Sequence, residues 1–244
     1  MGLSTPAFAA GTNATTVSVT AKNPTVITGH EVIFHAVVTP VSPGMAKPTG
    51  TVTWTLTGTG GGSVSCASSS GLGTNGKASC TVAKAALLGA YSPFTITASY
   101  SGDSNYASNS GSLVEGVTPS RTHLKISLSA TPTNGGSTTV EALVTAGSAT
   151  SAISGNVTFA VASSLSAKGV KAYCEGTLLP ASANNSQPVV SGAATCTLPA
   201  GWFEVPPVTG ADTHPRGRWV ISAFYDGNGS FYSSGQTLSG WVAG

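Results

Sequence analysis

Four cysteines are the residues with the best-defined chemistry in this 244-residue sequence. They form two pairs, Cys66 with Cys80 and Cys174 with Cys196, at matching points in the two halves of the chain. An even number of cysteines in this arrangement is typical of disulfides formed in an oxidising compartment. A zinc site would need a Cys-x-x-Cys pair or matched histidines, and the sequence contains neither. We therefore expect one disulfide within each half, both cysteines of a pair facing inward on strands, and no metal site.

Asp103 and Asp226 lie in two polar turns, Gly-Asp-Ser-Asn and Asp-Gly-Asn-Gly. A carboxylate in such a turn either binds calcium or fixes the turn by accepting backbone N–H groups. Calcium takes roughly six to eight oxygen ligands, usually from several carboxylates. Each turn offers a single carboxylate, so the turn role is the favoured interpretation and the calcium site is the alternative.

The sequence predicts no catalytic residues and no cofactor. Asp212 and His214, in Asp-Thr-His, superficially suggest an acid–base pair. No nucleophile motif such as G-x-S-x-G accompanies them, and no zinc motif such as H-E-x-x-H is present. The eight acidic residues form no convincing pair across a cleft, which a hydrolase would need. An enzymatic function is therefore the weakest hypothesis.

The segment 200–217, AGWFEVPPVTGADTHPRG, is much longer than its counterpart 87–93 in the first half and is interpreted as an insertion between two strands. Loops at the ends of a β-sandwich often carry binding sites, and aromatics beside Arg and His are enriched in contact surfaces. The alternative is a loop that folds over the open end of its own sandwich and places Trp202 in the core. The residues of the contact hypothesis are Trp202, Phe203, Asp212, His214, Arg216 and Arg218.

Short strands must position these residues, because apolar and polar side chains alternate with period two between turn residues. Segments 50–57 and 94–100 alternate apolar residues with Thr and Ser, as expected for strands with one buried face. Trp54 lies on the apolar side of its strand, and Phe159 is its counterpart in the second half. We expect both to be core aromatics rather than ligand-stacking side chains.

The strands of the first half recur in the second half as an internal repeat. Two copies of about seven strands, with turn signals about every 8–12 residues, predict an all-β chain of two tandem β-sandwiches. The repeated segments are EVIFHAVVT (31–39) with STTVEALVT (137–145), GTVTWTLT (50–57) with GNVTFAVA (155–162), and 94–110 with 219–235.

The repeat also predicts the domain boundaries. Residues 1–13 are interpreted as a signal-peptide remnant or N-terminal tail, because Ala-Phe-Ala at 7–9 fits the pattern before a cleavage site. The first sandwich is predicted over 14–116 and the second over 121–244. The joint, 117–120, is short and contains proline, which predicts a linker of limited freedom.

The segment from Tyr100 to Tyr106, YSGDSNY, resembles the bacterial immunoglobulin-like repeat of secreted and cell-surface proteins. The cysteine-bearing segment SCASSSGLGTNGKASCTVA resembles the version of that repeat found in actinobacteria. The similarity covers 14–244 and is weaker in the second copy, where Asn228 replaces Asp103 and Phe231 replaces Tyr106. The resemblance implies seven-stranded sandwiches that serve as spacers, stalks or adhesion modules, with no shared catalytic residues.

Charge and hydropathy exclude several classes of partner. Only 7% of the residues are charged and the net charge is +2, which argues against a nucleic-acid partner. No stretch approaches the ~18 apolar residues of a membrane span, so we expect no transmembrane segment. Together with the cysteines, these observations predict a secreted protein associated with the cell surface.

Three functional hypotheses remain after these exclusions. The first is a structural or adhesive role at a bacterial surface. The second is self-assembly along sheet edges or end to end, since the edges carry mostly Thr, Ser and Gly rather than protective Lys and Pro. The third is binding of a glycan or a surface protein through 200–217. The outward residues that self-assembly would use are Ile33, Val37, Leu143 and Phe224.

Overall fold

The computed structural model describes residues 11, 13–42, 46–147, 152–163, 174, 185–203 and 217–242. It divides into two compact units, the first running through Pro119 and the second beginning at Ser120. The predicted signal remnant lies outside the described residues, except for residues 11 and 13. The predicted all-β class is confirmed, because strands form nearly all of the regular structure in both units.

In its described residues, the first unit contains ten strands and two single turns of 3₁₀-helix, at Thr59–Gly61 and Gly89–Tyr91. The strands are β1 (Thr15–Ala21), β2 (Val26–Ile27), β3 (Val32–Pro40), β4 (Val52–Gly58), β5 (Ser63–Val64), β6 (Ser68–Ser69), β7 (Lys77–Val82), β8 (Phe94–Tyr100), β9 (Asn109–Glu115) and β10 (Val117–Thr118). The two four-stranded sheets have the orders β1-β3-β7-β6 and β5-β4-β8-β9, both with antiparallel pairing. The short strands β2 and β10 form a separate parallel pair.

The second unit repeats this arrangement in the part of the chain that is described. The strands are β11 (Thr122–Leu128), β12 (Thr138–Ala146), β13 (Asn156–Ser163), β14 (Ser186–Pro188), β15 (Ala193–Leu198), β16 (Arg218–Tyr225) and β17 (Ser234–Trp241). One sheet has the order β11-β12-β15 and the other β14-β13-β16-β17, again with antiparallel pairing.

The alternating sequence of each central strand explains why the two sheets of a unit pack together. In β8, Phe94, Ile96, Ala98 and Tyr100 are buried, while the Thr and Ser residues between them face outward. Phe34 of β3 supplies the facing sheet, and both contribute to one continuous core. Apolar faces that pack in this way make a β-sandwich.

The predicted core aromatics differ in how deeply they are buried. Phe159 in β13 is almost fully buried, with 2% of its surface exposed. Trp54 faces the core of its own unit but remains partly exposed, and it pairs across the strands with Ala98. Both belong to the cores of their units, as predicted.

Both predicted disulfides are present, Cys66–Cys80 and Cys174–Cys196, each within one unit. The prediction that all four cysteines lie on strands is wrong for two of them. Cys66 lies between β5 and β6, where the chain crosses from one sheet to the other, and Cys174 is not in a strand. The first disulfide therefore joins Cys66, in a segment that crosses between the sheets, to Cys80, a buried residue of β7. It does not join two strand positions.

Residues of 117–120, predicted as a linker of limited freedom, take part in strand pairing within each unit. Val117 and Thr118 pair in parallel with β2, and Val117 is buried in the first unit. Ser120 forms a bridge with Phe231 of the second unit and is buried there. Because a buried backbone group needs a hydrogen-bond partner, these residues are incorporated into the two sandwiches.

One edge of each sandwich is closed by its first strand. In the first unit, β1 lies so close to β9 that a Cβ on Gly111 would overlap the carbonyl oxygen of Val17. The Asn109 side chain donates to the Thr15 carbonyl across the same edge. In the second unit, the Gln236 side chain accepts the N–H of Ile126 in β11. These contacts cover part of the backbone that a sheet edge would otherwise offer to another chain.

Candidate functional site

The turn after β8 is held by the carboxylate of Asp103. Its Oδ1 accepts the backbone N–H groups of Asn105 and Tyr106 at 2.8 and 2.9 Å. Its Oδ2 accepts the Thr49 N–H at 2.7 Å, the Thr49 hydroxyl at 3.0 Å and the Tyr100 hydroxyl at 3.0 Å. A carboxylate offers roughly four lone-pair positions, so these donors leave no oxygen for a cation.

The electrostatics of the turn follow from these contacts. Burial alone would raise the pKa of Asp103, but the hydrogen bonds from Thr49, Asn105 and Tyr100 outweigh it and lower the pKa to about 2. Burial and the hydrogen bond to Asp103 raise the pKa of Tyr100 to about 12. The turn role is therefore supported over the calcium role. Among the residues described, no three or more His, Cys, Asp or Glu come together as a metal site would need.

The second unit builds the same turn with an uncharged residue. Asn228 Oδ1 accepts the N–H groups of Ser230 and Phe231 at 2.8 and 3.0 Å. Its Nδ2 donates to the carbonyl of Ser154 at 2.8 Å, and the Tyr225 hydroxyl donates to the same carbonyl at 2.7 Å. Burial, together with the nearby charge of Asp226, raises the pKa of the Tyr225 phenol.

The 200–217 segment is described only at its two ends. Trp202 is 5% exposed and Phe203 is fully buried, directly after β15. Both aromatics are therefore core residues of the second unit, as the alternative of a loop folded over its own sandwich requires, and they do not form an exposed contact surface. Asp212, His214 and Arg216 lie outside the described residues. Arg218 is exposed at the start of β16.

A small cavity in the second unit was not predicted from the sequence. It has a volume of about 260 Å³ and opens to solvent. One sequence feature could have indicated part of this cavity. Arg121 and His123 flank the buried Thr122, and the period of two in a strand places their two basic side chains on one face. Tyr232 comes from a loop far along the chain, and no local pattern indicated that it would join them. The lining residues are Arg121, Thr122, His123, Tyr232 and Ser233.

The outward faces of the sheets differ in charge: outward positions of β4, β8 and β9 carry no charged side chain, whereas those of β11 and β12 include Lys125 and Glu141. In the first unit, the outward positions of β4, β8 and β9 form cross-strand rows of hydroxyl side chains, such as Thr55 with Thr97 and Ser112. Thr97 and Ser112 hydrogen-bond at 2.9 Å. In the second unit, Phe224 and Trp241 stand out of the corresponding face and are 51% and 56% exposed.

No helix in the described part of the chain is long and apolar enough to span a membrane. Residues 19–118 match the family model of the bacterial Ig-like domain, group 3. No curated protein matches the chain.

Three solved structures are similar to the chain over most of its length. The adhesin InvE of Yersinia pseudotuberculosis is 12% identical with a TM-score of 0.47, covering 91% of this chain and 58% of that chain. A DUF4785 family protein of Legionella pneumophila is 11% identical with a TM-score of 0.40, covering 92% and 55%. The Escherichia coli adhesin FdeC is 16% identical with a TM-score of 0.31, covering 93% and 64%. This chain thus spans little more than half the length of the first two.

Proposed function

We propose that this chain, whose residues 19–118 are a bacterial Ig-like domain of group 3, is an exported, non-enzymatic module with a structural or adhesive role at the bacterial cell surface. The observation that carries the proposal is the disulfide within each unit. Disulfides of this kind persist in oxidising compartments and are rare in the cytosol, where thiols are kept reduced.

The polar surface supports the same proposal. Rows of Thr and Ser on the outer sheet face make the surface polar with few charges. The solubility of the sandwich should therefore depend less on ionic strength than that of a highly charged protein. The edge closed by β1 and β9 opposes strand addition by neighbouring chains. Both properties suit a module that must stay folded and separate in a variable external medium.

The test combines location with thiol state in cells that produce the protein. Intact cells are treated with a protease that does not enter them, and the remaining thiols are counted by alkylation under denaturing, non-reducing conditions. We expect the chain to be cleaved from intact cells and to show no free thiol. A chain that is protected in intact cells and alkylated at Cys66 and Cys80 would contradict the proposal.

A second candidate function is self-association through a sheet face. Phe224, Trp241 and Leu143 are exposed on outer faces of the second unit, and aromatic side chains are enriched in protein–protein contacts. Light scattering on the purified chain separates a monomer from an assembly. If an assembly forms, Phe224→Ser with Trp241→Ser should dissociate it, whereas Thr53→Ser on the first unit should not.

A third candidate is a contact surface formed by the polar residues of the 200–217 loop. Arg218, which is exposed at the start of β16 next to this loop, supports this candidate. Trp202 is 5% exposed, so the candidate is proposed for the polar residues. A glycan array probed with the chain and with an Arg218→Gln variant tests this candidate. Equal binding by both proteins would exclude Arg218 from such a surface.

A further inference from the structure

The backbone around the cavity beside β11 is joined by hydrogen bonds within the second unit. The backbone of Ser120 donates to Ser230 at 2.9 Å and accepts from Tyr232 at 2.9 Å. The Thr122 hydroxyl contacts the Tyr232 carbonyl at 2.8 Å and the Ser234 hydroxyl at 2.7 Å. These bonds join the start of β11 to the segment before β17. A binding site that is ordered in advance loses less entropy when it binds.

The side chains that line the cavity have unused hydrogen-bonding capacity. The guanidinium of Arg121, the imidazole of His123 and the hydroxyls of Tyr232 and Ser233 have no side-chain partner among the residues described. Among the described residues that line the cavity, none is acidic. A guanidinium binds carboxylates through two parallel hydrogen bonds, so the charge of the cavity favours an anionic ligand with planar oxygens.

The shape of the cavity and its aromatic wall restrict the ligand further. A volume of about 260 Å³ is below the roughly 300–1,000 Å³ typical of pockets for drug-sized ligands. This size fits a ligand of one ring rather than an extended peptide. The Tyr232 side chain is 48% exposed and offers an apolar ring face next to a hydroxyl. Sugars combine C–H faces with hydroxyl edges and match such a wall.

We propose that this cavity binds a single acidic sugar unit of the uronic-acid type, as found at an end or branch of a surface glycan. Arg121 holds the carboxylate, Tyr232 packs against the ring, and His123 and Ser233 hydrogen-bond to ring hydroxyls. The inference rests on the proposed surface function and names the ligand class that such a module would contact.

The purified full chain is titrated with the methyl glycoside of glucuronic acid, and backbone amide shifts are followed by NMR. A ligand with about a dozen non-hydrogen atoms should bind with a Kd of about 1 mM. The shifts should concentrate at Thr122 and Ser233. The methyl glycoside of glucose, which lacks the carboxylate, and acetate, which lacks the ring, are the two comparison ligands.

Two variants and one control identify the residues responsible. Arg121→Gln should weaken glucuronide binding at least about tenfold, as expected for loss of a charge-assisted hydrogen bond. Tyr232→Ala should weaken glucuronide binding and leave acetate binding unchanged. Lys125→Gln is the matched control, since Lys125 is an exposed cation on the same strand and outside the cavity. Amide spectra of each variant show whether the fold is kept.

The outcomes decide the proposal independently of where the protein is located. Tighter binding of the glucuronide than of both comparison ligands, lost in Arg121→Gln and kept in Lys125→Gln, supports it. Equal binding of the glucose glycoside, equal binding of acetate, or an unchanged Kd in Arg121→Gln overturns it. Absence of binding to the wild type also overturns it, while protease cleavage on intact cells would still support the surface function.

Discussion

Asp103 and Asn228 occupy equivalent turns, and each accepts two backbone N–H groups through Oδ1, from the residues two and three positions later. Their second side-chain atoms have opposite roles. Asp103 Oδ2 accepts the N–H of Thr49, whereas Asn228 Nδ2 donates to the carbonyl of Ser154. The two units thus share one turn geometry. The backbone group that faces the turn residue is a donor in the first unit, the Thr49 N–H, and an acceptor in the second, the Ser154 carbonyl.

This relationship predicts that neither residue can replace the other. Asp103→Asn directs an NH₂ group at the N–H of Thr49, or turns its donor toward Asn105, and leaves a donor unsatisfied in either orientation. We expect the first unit to lose about 1 kcal/mol of stability, the net value of a typical hydrogen bond, since Thr49 and Asn105 are exposed to solvent. Hydrogen-exchange mass spectrometry in urea measures each unit separately through its own peptides. The reciprocal variant, Asn228→Asp, places an oxygen against the Ser154 carbonyl and should destabilise only the second unit. A change below about 0.5 kcal/mol in Asp103→Asn would contradict the assignment.

Acid should destabilise the first unit more than the second. The pKa of Asp103 is lowered to about 2 in the folded chain, against an ordinary value of about 3.9. A carboxyl with a depressed folded pKa stabilises the fold above its unfolded pKa and loses that contribution as the pH falls through the folded pKa. The first unit should therefore lose at most about 2 kcal/mol between about pH 4 and about pH 2, since the side chain is partly exposed.

The measurement is the urea midpoint of each unit across that pH range. Asp103→Asn removes the titrating group, so its first unit should show a flatter pH dependence than the wild type. The second unit, with Asn228 in the same position, is the internal comparison. An equal acid response of the first unit in wild type and variant would show that other carboxyls dominate.

The fold was largely predictable because its signals are local. Alternation in 50–57 and 94–100 specifies which face of a strand is buried, and the repeat transfers that result to the second unit. The positions that were missed depend on distant partners. A disulfide requires only that Cys66 lie close to Cys80, and a crossing segment can meet that requirement as well as a strand can. Val117 becomes a strand residue because it pairs with β2.

The candidate site was less predictable for the same reason. Arg121 and His123 share a face by period two, but the cavity exists only because hydrogen bonds bring Tyr232 next to them. The distance between these segments along the chain exceeds anything that local periodicity reports. In the 200–217 segment, composition suggested both a contact and a core role, and the burial of Trp202 distinguishes between them.

The two core aromatics should differ in their contribution to stability. Phe159→Ala removes an almost fully buried ring and should cost the second unit about 3–5 kcal/mol. Trp54→Ala should cost the first unit less, because part of the indole is already exposed. Thr53 precedes Trp54 and faces outward, so Thr53→Ala should change the stability of the first unit by no more than about 0.5 kcal/mol. Urea denaturation of the three variants gives the order, and a loss for Thr53→Ala similar to that for Trp54→Ala would contradict the register of β4.

Each disulfide should stabilise its own unit. Closing loops of this length removes unfolded-state entropy equivalent to roughly 3 kcal/mol. Replacing both Cys66 and Cys80 with Ala should therefore lower the melting temperature of the first unit and leave the second unchanged. Reductant should shift the wild type in the same direction but have no effect on the first unit of the double variant. Peptide mapping without reductant that found a bond between Cys66 and either second-unit cysteine would contradict the pairing.

Trp202 should behave as a core residue of the second unit. It is 5% exposed and follows β15 beside the fully buried Phe203, so its removal empties space in a packed interior. We expect Trp202→Ala to destabilise the second unit by about 3–5 kcal/mol. Its fluorescence, taken as wild type minus variant, should be blue-shifted, as for an indole shielded from water.

Trp241 provides the matched control for this experiment, because its side chain is 56% exposed on an outer sheet face. Trp241→Ala should remove a red-shifted component and change stability by no more than about 0.5 kcal/mol. If Trp202→Ala behaved like Trp241→Ala, the indole of Trp202 would be solvated and the contact-surface role of the 200–217 loop would regain its aromatic anchor. A large loss of stability for Trp202→Ala alone would establish that this end of the insertion closes the sandwich, so that any contact made by the loop must come from its polar residues.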